Sequence, residues 1–427
     1  MSKVVTPSGA PNQKTVLPSG IRVISEHIPS VHSITLGVWI WSGSRFERES
    51  QHGVAHFLEH MLFKGTARRD AFEIARTIES QGGYLNAFTG KELNCYFVRV
   101  LKDADEVSID LLADILQNSV FDPIETEKEK GVVIDEINGM EDTPEELVLD
   151  TFTGIVWQPH TLSRSILGTP DAVASLNPDS LREYLDSHYV SDRVYVIATG
   201  AVDHDRLVRL VDKAFSLPKS SKGVAFSSVE RPDRQIAVVS KDISQTHVCL
   251  GGVGIPYNDT RKYALYVLNT VLGGGMTSRL FQSIREQAGL AYAIYSDLDF
   301  YHDTGLVSVY AGTDADDVPL VLEEVYKECN RLCSEPISDV ELKDAKSQLT
   351  GGLLLSLESP SNIMNRLARG EIYLDQYEPT EDSIAAVNSV SVQDVQELAT
   401  DLLSPDRLSL AVVGPMDESD ILPLIPS

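Results

Sequence analysis

The chain has 427 residues, 42% of them apolar, enough for roughly two to four globular domains with their own cores. Its 63 acidic residues outnumber 36 basic ones, and the resulting net charge of −27 repels nucleic acid and anionic lipid, whose binding is driven by attraction to phosphate. Apolar runs such as LLADIL and VYVIAT fall far short of the roughly 20 residues that a membrane span needs.

In chain order, MSKVVTPSGAPNQKTVLPSG has neither the apolar core of a signal peptide nor the Arg-rich amphipathic pattern of a transit peptide, so a soluble, cytoplasmic protein is expected. TVLPSGIRVIS places a Pro-Ser-Gly turn between two extended runs and predicts a hairpin. SITLGVWIWSG reads as an apolar strand, residues 51–82 turn helical, and YLNAFT and NCYFVRVL return to strand-like alternation. Apolar residues at three-to-four spacing then predict helices over ADEVSIDLLADILQNS, residues 125–141, EELVLDTFTGIV and PDSLREYLDSHY. The strand DRVYVIATG and the helix DHDRLVRLVDKAF close this α+β segment. Four cysteines without a CxxC pair (Cys95, Cys249, Cys329 and Cys333) suit reduced thiols.

The chain then repeats itself. DRVYVIATGAVD begins at Asp192 and DRLSLAVVGPMD at Asp406, 214 positions on, and the same offset relates Gly37 in SITLGV to Gly251 in HVCLGGV. Two tandem α+β domains, each an antiparallel sheet packed with helices, are expected, residues 1–215 and 236–427, joined by a Ser-, Lys- and Pro-rich linker over 216–235. At this offset His56, Glu59 and His60 correspond to Thr270, Gly273 and Gly274. One half therefore carries chemistry that the other lacks.

That chemistry lies in HGVAHFLEHMLFKGT, residues 52–66, which holds three of the 10 histidines in the chain. His56, Glu59 and His60 stand at i, i+3 and i+4, one face of a helix. Two imidazoles one turn apart can close on one zinc ion at about 2.0–2.1 Å, and a carboxylate between them can take a proton from water bound there. A polar face of a surface helix could carry the same residues without function. His52 precedes Gly53, near where the helix should begin, and is left out of the site. A catalytic zinc also needs a third protein ligand. In ETEKEKGVVIDEINGMEDTPEE the acids Glu125, Glu127, Glu129, Asp135, Glu136 and Glu141 compete for that place. Glu129 and Glu136 lie seven apart on one helix face beside Val132 and Val133, where a buried carboxylate would need a partner, and Asp135 is turned about 100° away. Glu136 is assigned to the metal and Glu129 to its support.

HFLEH, followed by Glu129 and Glu136, resembles the inverted-motif (HxxEH) zinc peptidases of the pitrilysin/insulinase family, and more closely their mitochondrial processing peptidase-like bacterial branch. The resemblance spans nearly the whole chain. GGYLNAFTGKELNCYFV looks like the family's edge strand, and by that likeness Asn86, Ala87 and Phe88 would hold the substrate backbone. SIREQAGLAYAIYS looks like the segment with its transition-state pair, here Arg285 and Tyr292. LGGGMTSRLF resembles its glycine-rich loop, with Gly274 and Gly275 near substrate. Read without the family, the Arg and Tyr suit a helix-terminal salt bridge and a core tyrosine, and the glycines a helix terminator.

The resemblance implies two domains closing like a clamshell, one Zn2+ per chain, and an endopeptidase that takes extended, unfolded or presequence-like peptides into an enclosed chamber. It also implies a homodimer, or a heterodimer with an inactive homologue. The alternatives are a non-catalytic partner subunit of the same fold and a zinc hydrolase of non-peptide substrates. Mn2+ or Co2+ could occupy the same ligands.

Overall fold

The apolar runs form strands of two sheets, packed with helices. The computed structural model describes residues 2–3, 12–220, 226–227, 229 and 233–426. Residues 4–11 of the N-terminal segment, and 221–225, 228 and 230–232 of the expected linker, lie outside them. Contacts divide the chain into two compact units: Met1–Asn138 with Arg164–Phe226 and Ser356–Glu378, and Gly139–Ser163 with Ser227–Leu355 and Pro379–Ser427.

The first unit holds a seven-stranded sheet of β1 (Ser2–Lys3), β2 (Asn12–Val16), β3 (Arg22–His27), β4 (Ser33–Ile40), β5 (Tyr84–Thr89), β6 (Asn94–Leu101) and β7 (Val194–Gly200), in the order β1-β2-β3-β7-β4-β6-β5. The second holds β8 (Ile236–Ser240), β9 (Thr246–Val253), β10 (Ala291–Phe300), β11 (Gly305–Thr313) and β12 (Ser409–Gly414), in the order β10-β11-β9-β12-β8. Strand for strand, β8-β12-β9-β11-β10 repeats β3-β7-β4-β6-β5, so the duplication read from the 214-residue offset is a duplication of topology. The sheets are not purely antiparallel as expected: β3–β7 and β8–β12 pair in parallel. A parallel neighbour requires a long crossover, and the chain between β3 and β7 supplies one.

Every residue of β7 is buried, which explains why VYVIATG is continuously apolar and not alternating. One face of the first sheet meets the main core, which includes Leu36, Val38, Tyr96 and Val196. On the other, Ile24, Trp39, Tyr195 and Ile197 pack against Ile363, Met364, Leu367 and Ile372 of the helix Pro360–Leu374. In the second unit the matching face, with Cys249, Ala411 and Val413, takes Val148, Phe152 and Val156 of the helix Pro144–Val156. The units therefore differ from a cut at 216–235: each includes this helix from the other half of the chain.

The helical pattern over 51–82 resolves into α1 (Val54–Leu62) and α2 (Ala71–Glu79), α2 being started by a capping box between Asp70 and Glu73. Farther on lie α3 (Asp105–Asn118), α4 (Pro123–Glu141) and α5, the helix Pro144–Val156 already named. The turn between α1 and α2 is fastened to α3. The fully buried Asp114 carboxylate accepts from Thr66 Oγ1 at 2.9 Å, Arg68 Nε at 3.0 Å, Arg69 Nη1 at 2.5 Å and Asn118 Nδ2 at 3.0 Å. Burial pushes this carboxyl up, but its donors outweigh that and hold it below the usual range. No helix among the described residues is long and apolar enough to cross a membrane. The four cysteines are free thiols.

A depressed carboxyl contributes stability above its unfolded pKa, near 3.9, and loses it as pH falls through the folded value. Asp114→Asn is expected to cost about 1–3 kcal/mol in urea unfolding at pH 7, with the gap to wild type narrowing below about pH 4. An equal gap at pH 7 and pH 3.5 would contradict the assignment.

Candidate metal centre

Helix α1, VAHFLEHML, buries Val54, Ala55, Phe57, Leu58, Met61 and Leu62, leaving His56, Glu59 and His60 as its polar strip. Its start is tightly held. Gly53 has φ +86, and a Cβ there would come within 2.9 Å of Gly168 Cα and Leu167 O, so glycine is required twice over. The buried Glu47 carboxylate accepts the backbone N–H groups of Gly53 at 2.9 Å and Ala55 at 2.8 Å, donors that the helix itself leaves unsatisfied. Burial pushes Glu47 up to about 8, against the pull of those two N–H groups.

Helix α4 presents Glu129 and Glu136 from one face. Glu129 is buried; its Oε1 accepts from His60 Nδ1 at 2.8 Å, and its Oε2 lies 2.6 Å from Lys64 Nζ. With Nδ1–H donating, His60 keeps its Nε2 lone pair free. Glu136 Oε2 stands 3.5 Å from His60 Nε2 and 3.6 Å from His56 Nε2. These separations are too long for hydrogen bonds. They match the spacing of about 3.4 Å between two ligands of a tetrahedral zinc with 2.0–2.1 Å bonds. One ligand atom from each of the three residues lies within 4.8 Å of the others, a donor set that fits a single metal ion. Burial, and then the neighbouring His60, lowers His56 to about 4, which keeps its imidazole neutral and its lone pair available.

Two expectations for α4 need correcting. The Glu136 side chain is 42% exposed and Val132 is also exposed. The buried acid is Glu129, with Val133 and Ile137 as the apolar side of the helix. A ligand to a catalytic ion must face the side that substrate and water reach, whereas its support can be enclosed.

Glu59, the third group of the strip, accepts from Thr89 Oγ1 at 2.5 Å; burial raises its carboxyl and this bond opposes the rise. Thr89 ends β5, the last strand in the sheet order, paired with β6 from Tyr84↔Arg99 to Thr89↔Asn94. Tyr84, Asn86 and Phe88 are exposed on one face of β5, while Leu85 and Ala87 pack against the core. Asn86 Oδ1 accepts the N–H of Ala87 at 2.9 Å, and its Nδ2 donates to the Tyr84 hydroxyl. His52 is turned elsewhere, its Nε2 2.9 Å from the Ser165 carbonyl.

Arg285, Tyr292, Gly274 and Gly275 belong to the second unit. Tyr292 is not a core tyrosine. It is 77% exposed and falls at a register shift in the β10–β11 ladder, a bulge that re-aims a side chain. Arg285, on the π-helix Phe281–Gln287, has its guanidinium 4.9 Å from the Phe281 ring centroid and 5.5 Å from that of Tyr292. The glycines do terminate a helix: Lys262–Leu272 ends before Gly273, and the N–H groups of Gly273 and Gly274 both donate to the Asn269 carbonyl. Three contributors escaped the sequence reading. Lys64 had a signal, i+4 from His60; Glu47 and Thr89 had none, being set by tertiary approach.

A model of the insulinase family, peptidase family M16, matches residues 22–170, and a model of the peptidase M16 inactive domain matches residues 175–349. The chain is 39% identical over 399 residues to a Bacillus subtilis protein named an uncharacterized zinc protease, covering 93% of this chain and 97% of that one. It is 37% identical over 414 residues to a Streptomyces coelicolor protein of like name, covering 95% and 90%. A crystal structure of a protease from Helicobacter pylori superposes with a TM-score of 0.90 at 22% identity, over 95% of this chain and 99% of that one. A Pseudomonas fluorescens structure described as a peptidase M16 inactive domain gives 0.87 at 22%, over 95% and 98%. At such identity these structures establish the fold alone.

Glu129→Gln is expected to weaken zinc binding about 10–100-fold, because it loosens the His60 ring without removing a ligand. Competition against a chromophoric chelator measures this, and wild-type affinity in the variant would contradict the support role.

Proposed function

We propose that this chain, a member of the insulinase family of peptidases (peptidase family M16), is a zinc-dependent endopeptidase acting on unfolded or presequence-like peptides in extended conformation. The observation that carries the reading is the approach of His56 Nε2, His60 Nε2 and Glu136 Oε2 to one point, with Glu59 on the same helix face. His56, His60 and Glu136 hold one Zn2+ per chain. When bound, zinc polarises the scissile carbonyl and lowers the pKa of a bound water from 15.7 to about 7.

The remaining work falls to side chains. Glu59 accepts the proton of the attacking water, whose oxygen bonds to the carbonyl carbon. It returns that proton to the amide nitrogen as the C–N bond breaks, giving a carboxylic acid and an amine, which leave as carboxylate and ammonium once the acid's proton has passed to the amine. Glu129, held by Lys64, fixes the ring of His60. The edge β5, with Asn86, Ala87 and Phe88, pairs with the peptide main chain, an attachment that asks little of the side-chain sequence. Tyr292 and Arg285 donate to the carbonyl oxygen as charge builds, each worth about 3–4 kcal/mol, and Gly274 and Gly275 give the peptide room to pass. A cytoplasmic homodimer, or a pair with an inactive homologue, completes the proposal.

The match of residues 175–349 to an inactive-domain model favours a second reading, a non-catalytic partner subunit. That match starts inside the first unit, at residue 175, and runs into the second, but it covers none of His56, Glu59, His60 and Glu136, all of which the first unit retains.

A quenched-peptide digest with and without chelator separates the two readings. Cleavage should stop on chelation and return with zinc; cleavage unaffected by metal stripping, or none in zinc-loaded chain, would exclude the proposal. Glu59→Gln should retain zinc and lose about 10²–10⁴-fold or more in kcat/KM. Tyr292→Phe should lower kcat by about 10²-fold with KM little changed; wild-type turnover there would remove Tyr292 from the reaction.

A further inference from the structure

We propose that Thr89 is a positioning residue for the general base, and that the short segment Gly43–Glu47 braces both halves of the Thr89–Glu59 contact. The inference deepens the peptidase reading and rests on it for the role of Glu59. Its starting point is the 2.5 Å bond from Thr89 Oγ1 to Glu59 Oε2, the length of an O–H donor meeting a charged oxygen. A glutamate side chain is flexible, and a base must be held within about 0.5 Å of its working position. Thr89 is β-branched and stiff at χ1, so its hydroxyl is a fixed anchor. Binding Oε2 leaves Oε1 as the oxygen that takes the proton.

An anchor is only as good as its own support. Thr89 sits where β5 turns into β6, and the loop Gly90–Leu93 is closed by the Gly90 N–H donating to the Leu93 carbonyl at 2.9 Å. That loop is fastened to the chain just after β4. The N–H of Ser44 donates to the Gly90 carbonyl at 3.1 Å, and that of Arg45 to the Lys91 carbonyl at 2.8 Å. The Arg45 guanidinium lies 2.5 Å from the Glu92 carboxylate, a pair with side chains 2% and 1% exposed. Gly43 permits the approach, since a Cβ there would come within 2.3 Å of the Gly90 carbonyl oxygen. Two residues past Arg45, Glu47 holds the first N–H groups of α1, the helix that carries Glu59. Five consecutive residues therefore grip the hairpin that bears the hydroxyl and the helix that bears the carboxylate. The opposite face of β5 presents Tyr84, Asn86 and Phe88, so the strand proposed for the peptide also sets the base.

The test compares zinc-loaded wild type with Thr89→Val, which keeps shape and loses the donor, and Thr89→Ser, which restores it. Expected in Thr89→Val are a fall in kcat of about 10- to 100-fold, the cost of a misplaced catalytic group, and KM within about twofold of wild type. Zinc content should be unchanged, and a crystal structure should show the Glu59 carboxylate moved. Thr89→Ser should recover most of the turnover, with Glu59 back in place. Should Thr89→Val not fold, Thr89→Ala removes the same donor and takes its place.

Wild-type kcat without the hydroxyl, a Glu59 carboxylate unmoved in the variant crystal, or a serine variant as slow as the valine one would each overturn the proposal. If the zinc-loaded wild type cleaves no peptide, the peptidase reading fails, while the crystal comparison still decides whether Thr89 positions Glu59.

Discussion

Everything at the candidate metal centre depends on how α1 is buried. A nine-residue helix that commits Val54, Ala55, Phe57, Leu58, Met61 and Leu62 to the core has no freedom to rotate, so the strip of His56, Glu59 and His60 must face one way. Polar groups at such a place are costly unless partnered. Two of the three are hydrogen-bonded here, and the third is uncharged. His60 donates to Glu129, Glu59 accepts from Thr89, and His56 stays neutral because burial and its neighbour disfavour its charge. The two Nε2 atoms that remain turn toward Glu136, at a spacing too long for hydrogen bonds and suited to ligands of one metal ion.

The surroundings of the strip are graded by access. Glu129 is buried and pairs with a partly exposed Lys64, whereas Glu136 opens to solvent on the next turn but one of the same helix. A charge that only orients can be enclosed with a counter-ion, where low dielectric strengthens the pair. A ligand beside a reacting centre has to leave room for substrate. The same division appears on β5, where alternation sends Tyr84, Asn86 and Phe88 outward and Thr89 toward α1.

Duplication gave both sheets the same strand order but only one of them a donor set. In the second unit the helix equivalent to α1 stops at Leu272, and glycines stand where the first half has Glu59 and His60. Its distinctive features lie elsewhere, in an exposed Tyr292 at a bulge and an Arg285 whose guanidinium lies near the rings of Phe281 and Tyr292. The halves also trade the helix that covers the outer face of each sheet. β7 and β12 are buried throughout because that face, too, is packed.

Periodicity alone determined much of this. A 3.6-residue repeat puts His56, Glu59 and His60 on one face and Glu129 with Glu136 on another, and a 214-residue offset announces two like folds. These inferences hold because local geometry relates residues a few positions apart, and because copying a sequence copies its hydrophobic pattern. Contacts between distant segments obey no such rule. That Thr89 would reach Glu59, that Glu47 would cap α1, that Glu136 would be the open acid and Glu129 the buried one, and that the covering helices would change places were decided by packing. Only the completed fold determines which surfaces meet, because the energy of burying a given face depends on whatever covers it.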